Sequence, residues 1–201
     1  MKYVKMLGLA AVAAMALAAF AGAGTASATE ICTTTSFPCP AGSQITTLEL
    51  SKDPNTSPVL ETTENSIQDT CTGATASGAV TQGDSTHTVV GAHVNLGFTG
   101  CTSTTVVNNE AECSLEAHGI AGTDNATITA KGCTVTVNLG VSCTYGAGAG
   151  IDLGTFVGGT TKTIAINTVV RKNDGSGFLC PETTRWTASY IATNHSAVYF
   201  H

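Results

Sequence analysis

The sequence predicts an all-β protein: an antiparallel β-sandwich, immunoglobulin-like or Greek-key in plan, bonded by disulfides and preceded by a cleaved N-terminal signal helix. Three observations predict it. The first 28 residues are laid out as a secretion signal, apolar and polar residues alternate along several later stretches, and all 8 cysteines lie after residue 28. The expected organisation is a signal peptide over 1–28, an N-terminal extension with the first strand of the domain over 29–70, and the β-sandwich core over 71–201.

Lys2 and Lys5 make a positive start, residues 6–20 are an uncharged apolar run, and Ala26-Ser27-Ala28 ends it with small residues. That order is the layout of a cleaved secretory signal. The run falls short of the ~20 residues a spanning helix needs, so cleavage is expected after Ala28, with Thr29 as the new N-terminus. The first cysteine, Cys32, stands behind Thr29-Glu30-Ile31, too far along to be the lipidated residue of a lipoprotein. No twin arginine is present, so the general secretion route is the default. The C-terminal Val198-Tyr199-Phe200-His201 carries no apolar tail. The expected product is secreted, free or held at the cell surface without a covalent anchor, and has no membrane span in its mature form.

Removing the segment takes two lysines and no acid, which leaves six Lys and Arg against 14 Asp and Glu, a net charge of −8. A chain this acidic repels phosphate backbones and anionic headgroups. Arg171-Lys172 is its only adjacent basic pair, so nucleic acid and membrane surfaces are poor partners. The cell envelope or a carbohydrate is the contact class left open.

The cysteines are Cys32, Cys39, Cys71, Cys101, Cys113, Cys133, Cys143 and Cys180. An even set outside the cell reads as disulfides, and no Cys-x-x-Cys knuckle favours a metal. Eight cysteines allow about 105 pairings. Pairing of sequence neighbours suits adjacent strands joined by loops: Cys32–Cys39, Cys71–Cys101, Cys113–Cys133 and Cys143–Cys180. The chain needs such clamps, because with 5% aromatics and a core of mostly Ala and Val it buries little area per side chain.

Thr and Val abound, and branching at Cβ favours strands. A first strand is expected over 45–50, then a long loop. Over 88–98, Val90, Val94, Leu96 and Phe98 alternate with Gly91, His93 and Asn95. Over 111–117, Cys113 and Leu115 alternate with Glu112, Ser114 and Glu116. Over 133–145, Cys133, Val135, Val137, Leu139, Val141, Cys143 and Tyr145 share one face. Near the end, Trp186, Ala188, Tyr190 and Ala192 alternate with Arg185, Thr187 and Ser189, so Trp186 and Tyr190 are expected to point inward. Such strands build antiparallel sheets with one wet face. Turn residues separate them: Gly83-Asp84, Gly122-Thr123-Asp124-Asn125, Lys131-Gly132, Gly158-Gly159 and Asn173-Asp174-Gly175. The immunoglobulin hallmark of a Trp between two bridged cysteines is not met, since Trp186 follows the last cysteine.

The layout Cys71-Thr72-Gly73, Cys101, Cys143-Thr144-Tyr145, Gly158-Gly159, Cys180-Pro181 and Trp186-Thr187-Ala188-Ser189-Tyr190 resembles a group of uncharacterised secreted β-sandwich-like proteins of actinobacteria. The likeness runs from Cys71 onward and rests on cysteines, turn glycines and core aromatics. It implies a bacterial exoprotein and brings no known activity and no catalytic residue. Cys113 and Cys133 are additions to that layout.

Four groups of residues invite chemistry. Gly83-Asp84-Ser85 matches the start of two serine-hydrolase signatures. One needs a late Asp-x-x-His, which does not occur; the other needs a Gly after the serine and an earlier His, and Thr86 follows while every His is later. A hairpin turn explains it better. His87 and His93 share a strand face but stand about 20 Å apart at ~3.3 Å per residue, too far for one ion. Glu110, Glu112, Glu116 and His118 form an acidic stripe that reads as a solvated face discouraging edge pairing, since calcium recruits oxygens converging from a loop. Thr127/Thr129, Thr134/Thr136 and Thr161/Thr163 keep no fixed period, so strand propensity explains them. Asn55, Asn125 and Asn194 head glycosylation sequons that a bacterial product leaves unused.

These readings assign no catalytic, cofactor-binding or metal-ligating residue. The expected function is that of a secreted or cell-surface non-catalytic β-domain, engaged in binding or envelope structure. A small-molecule or carbohydrate-binding exoprotein is the first alternative, distinguished by a deep apolar pocket. A secreted enzyme with dispersed site residues is the second, distinguished by converging Asp, Glu, His and Ser.

Overall fold

The structure is a computed structural model that describes residues 29–62, 68–83, 89–103, 106–108, 112–138, 140–146 and 150–201. The expected signal segment and its cleavage residue Ala28 lie outside the described residues, as do Asp84, Ser85, His87 and Glu110.

Among the described residues 14 strands and no helix form. They are β1 (Ile31–Cys32), β2 (Thr47–Lys52), β3 (Val59–Thr62), β4 (Gln68–Thr81), β5 (Val89–Cys101), β6 (Val106–Asn108) and β7 (Ser114–Gly119). Then follow β8 (Ala126–Lys131), β9 (Thr134–Asn138), β10 (Ser142–Gly146), β11 (Ile151–Val157), β12 (Thr163–Lys172), β13 (Thr183–Ala192) and β14 (Tyr199–Phe200). Residues branched at Cβ recur in the long strands, as in the run Thr-Ile-Ala-Ile-Asn-Thr-Val-Val of β12, where they pack well on a pleated surface.

The strand pairings close into a ring, and all are antiparallel. β13 pairs with β12 on one side and with β2 and β3 on the other, and β2 and β3 both pair with β4. From β4 the neighbours run β5, β7, β8, β11 and β12, which returns to β13. β2 and β3 act as one strand interrupted at residues 53–58, because they pair with successive stretches of β4 and of β13. The ring therefore has the strand count of a small barrel, whose interior is just wide enough for side chains or one small ligand. Two of its seams are short. β5 meets β7 over Val89 to Gly91, and β11 meets β12 only at Phe156↔Ile164 and Val157↔Thr163. Elsewhere the registers are long, as in the nine residue pairs of β12 and β13.

Each end of the ring carries an appendage. At one end β1 and β14 pair with each other, and Phe200 packs edge-on against Phe156 with ring centroids 5.3 Å apart. At the other, the β9–β10 hairpin continues from β12 through Tyr145↔Lys172 and Gly146↔Arg171, and β6 pairs with β9. The turn between β11 and β12 shows why glycine stands there: the carbonyl oxygen of Asp124 occupies the place a Cβ on Gly158 would take.

Alternation places the core. Val94, Ala117, Ile128, Ala130, Ile166, Ala188 and Tyr190 are buried in one main cluster. Cys143, Tyr145, Val170 and Cys180 form a smaller one beneath the β9–β10 hairpin. The bridges are Cys32–Cys39, Cys71–Cys101, Cys113–Cys133 and Cys143–Cys180, so each cysteine joins its sequence neighbour, and no free cysteine is left.

Two expectations change. Residues 133–145 form a hairpin, not one strand, with Val137 opposite Cys143 and Gly140 at φ +88° in the turn. A side chain would be strained at that φ, and the unbroken alternation of Val, Leu and Val masked the reversal. The boundary at 70/71 falls inside β4, and 29–70 gives the ring two strands, β2 and β3, where one first strand and a long loop are expected. Tyr190 lies in the main cluster and Trp186 packs against it, and β12 stands between their strand and β10, which carries Cys143.

Candidate functional site

The inward positions of the ring carry many small side chains. Ala74, Ala76, Ala117, Ala126, Ala130 and Ala188 are all buried there. Side chains this short leave the interior incompletely filled, and three apolar cavities result. One of about 50 Å³ lies under the β9–β10 hairpin between Leu60, Phe98, Val135, Tyr145 and Trp186. One of about 30 Å³ lies mid-ring between Leu50, Leu96, Leu153, Ile166 and Tyr190. One of about 80 Å³ lies toward the β1–β14 end between Leu48, Val94, Phe156 and Phe200.

The three stand in a row. The middle cavity shares Leu96, Ala130, Cys133, Leu153 and Trp186 with the first, and Leu50, Ala76, Leu115 and Ile164 with the third. The two end cavities share no wall residue. None alone approaches the ~300 Å³ at which sites for drug-sized ligands begin.

Two side chains in the walls of this row carry buried polar atoms. β13 brings Trp186 and Tyr190 to the inward face, four residues apart, and both line the middle cavity. Trp186 Nε1 and Tyr190 Oη are buried and have no hydrogen-bond partner among the described residues. Tyr190 is 1% exposed, and burial holds its phenol well above the usual tyrosine range, so it keeps its O–H at neutral pH. Trp186 stands at the wall between the first and middle cavities, edge-on to Phe98 at 6.4 Å. Burial, and then the charge of Glu182, also push the Tyr145 phenol up.

One functional-looking residue was missed by sequence reading. Asp69, 3% exposed, lines the first cavity. Its Oδ1 accepts hydrogen bonds from Thr102 Oγ1 at 3.0 Å and from the Ser103 backbone N–H at 2.8 Å. The signal was an acid of the same parity as Cys71, two residues before it. Asp69 lies near Cys71 and Cys101, and Glu30 near Cys32 and Cys39. In both groups the sulfurs are bridged, so they offer no thiolate to a metal.

The residues singled out earlier disperse over the outside. Gly83 donates its N–H to the Thr29 carbonyl. Glu112, His93 and His118 are exposed, with His93 at φ +53°. Glu116 pairs with Lys131 at 2.6 Å across the β7–β8 ladder. Thr127 and Thr161 are exposed, while Thr129, Thr134, Thr136 and Thr163 are half-buried. Asn125 Oδ1 accepts from Gly158 N–H, and Asn194 Oδ1 accepts from Glu49 N–H, so both amides serve the fold. Asn55 is exposed and bonds to Asp53.

The fold and interior thus define an all-β, disulfide-bonded ring around an apolar row of cavities. Comparison with known proteins finds no matching family, no similar curated protein and no similar solved structure. Four disulfides belong to an oxidising compartment, and among the described residues no helix is long and apolar enough to cross a membrane.

Proposed function

We propose that this chain is a secreted or cell-surface, non-catalytic β-domain of bacterial, actinobacterial type that works by binding, with a cleaved signal ending at Ala28. The observation that carries the reading is the combination of four bridges with a mostly apolar ring interior. Such a scaffold is rigid and suited to oxidising surroundings. Thr29 supports the proposed mature start: its Oγ1 accepts from Gly119 N–H and its carbonyl from Gly83 N–H, so packing extends to that residue. The two groups of long-register strands, β7-β8-β11 and β12-β13-β2/β3-β4-β5, are read as the two layers of the expected sandwich, closed at the short seams. The acidic outer face, net −8 after residue 28, favours neutral or cationic partners.

A second reading, a small-molecule carrier, is favoured by the apolar row of cavities. One experiment separates the two. The chain is expressed with residues 1–28 in an actinobacterial host, the culture is fractionated, and the mature protein is mixed with purified cell walls. The leading reading expects oxidised protein beginning at Thr29 outside the cells and sedimenting with the walls. Protein that stays reduced inside cells overturns it. Protein free in the medium that ignores the walls leaves the carrier reading in its place.

A further inference from the structure

We infer that the rings of Phe37, Tyr199 and His201, gathered at the β1–β14 end of the molecule, form a binding platform for a neutral polysaccharide chain. The inference gives the leading reading, attachment to the cell wall, a site and a ligand class, and it rests on that reading.

The fold brings the platform together from two segments. Tyr199 lies on β14, opposite Cys32 of β1. His201 follows two residues later and is held by both its backbone groups: its N–H donates to the Glu30 carbonyl at 3.0 Å, and its carbonyl accepts from Glu30 N–H at 3.1 Å. Side chains two apart on an extended chain share a face. There the Tyr199 and His201 rings lie nearly parallel, 9° apart in plane, with centroids 6.4 Å apart. Phe37 comes from the loop after β1. That loop is closed by the Thr33 N–H bond to the Ser43 carbonyl at 2.9 Å and by the Cys32–Cys39 bridge. Within it, Cys39 N–H donates to Glu30 Oε2 at 2.7 Å. The Phe37 ring stands 6.0 Å from that of His201. His201 Nε2 donates to the Thr34 carbonyl at 3.2 Å, which leaves Nδ1 of the neutral imidazole as an acceptor.

The surroundings of the rings select the ligand. Phe37 is 52% exposed, and Tyr199 and His201 are half-buried, so all three meet solvent. Residues 33–43 include no charged side chain and no Leu, Ile, Val or Met. The exposed neighbours of Phe37 are Thr34, Thr35 and Ser36. A sugar unit matches this pairing of ring faces with hydroxyls. Its C–H face packs on an aromatic face, and its hydroxyl rim exchanges hydrogen bonds with Thr, Ser and His. The net charge of −8 after residue 28 repels anionic polymers, which leaves a neutral chain. Rings already fixed by a bridge and a backbone ladder lose little freedom on binding.

Isothermal titration of the purified, oxidised protein tests this, with cellohexaose and N-acetylchitohexaose as neutral probes and hexagalacturonate as the anionic one. The expected result is saturable binding of at least one neutral hexaose, at least about tenfold tighter than hexagalacturonate, whose charges the acidic chain repels. Phe37→Ala and Tyr199→Ala should each weaken that binding about tenfold, as truncation of an aromatic anchor does, and should release the protein from purified cell walls. Phe178, 91% exposed, lies in the β12–β13 loop at the far end of the ring. Phe178→Ala should leave both kinds of binding within about twofold, as for a residue outside the contact. Phe37 is the most exposed of the three rings, so Phe37→Ala carries the test even where Tyr199→Ala folds poorly. Wall binding that survives Phe37→Ala, or that persists while neither neutral hexaose binds, overturns the platform and leaves the wall reading standing. Equal losses in Phe37→Ala and Phe178→Ala, or hexagalacturonate held as tightly as the neutral chains, also overturn the platform. Protein that ignores the walls and both neutral hexaoses removes the wall reading and the inference together.

Discussion

Tyr190 shows at the level of one side chain what the interior costs. Its ring fills the core, and its hydroxyl finds no partner among the described residues. Burial raises its pKa, and burial with Glu182 raises that of Tyr145. The folded chain therefore keeps protons that the unfolded chain gives up near pH ~10. The sign follows from linkage: this stabilisation is whole below pH ~10 and is lost as pH climbs toward the folded-state values. An absorbance titration of phenolate should find Tyr145 and Tyr190 ionising late, together with unfolding. Full ionisation of both near pH 10 with the fold intact would contradict their burial. Trp186 belongs to the same face. Its emission should be blue-shifted and weakly quenched by iodide, and Trp186→Ala should cost about 3 kcal/mol, the low end for a large core side chain that is only half-buried. An unchanged thermal midpoint would place the indole on the surface. The inward direction of both residues was legible, since period-2 alternation with Arg185, Thr187 and Ser189 fixes the face. The missing partners were not, because satisfaction depends on what stands across the ring.

Among the elements, the β9–β10 hairpin separates what a pattern carries from what it hides. Val135, Val137, Cys143 and Tyr145 fall on one face, as their parity says, yet the chain reverses between them. Three intervening residues preserve parity through the turn, so alternation alone cannot register it. β11 is hidden for a related reason: its register shifts between Asp152 and Gly154, which breaks its pattern. The hairpin is tied to the β12–β13 loop by Cys143–Cys180, which stand 37 positions apart in the chain. Removing that bridge by Cys143→Ala with Cys180→Ala should cost about 2–4 kcal/mol. Hydrogen exchange should speed first in β9 and β10, the appendage, and only later in β12 and β13. Uniform speeding across all strands would show that the hairpin and the ring unfold as one unit.

For the whole molecule, the all-β class and the neighbour pairing of cysteines were readable in the sequence, because alternation and cysteine spacing are local. Closure of the ring was not. It depends on β13, late in the chain, meeting β2 and β3, early in it, and no local pattern encodes a contact of that span. The apolar chamber depends on closure in turn, since an open sheet would leave the same alanines lining a groove. The two short seams are where closure is won or lost. The most direct measurement is therefore nuclear Overhauser contacts in the oxidised protein across both: Gly91 to Leu115 between β5 and β7, and Phe156 to Ile164 between β11 and β12. A closed ring gives backbone cross-strand contacts at both seams in one molecule. Absence of either set, with the long β12–β13 register intact, would mean an open sheet or two separate ones and would contradict the enclosed interior.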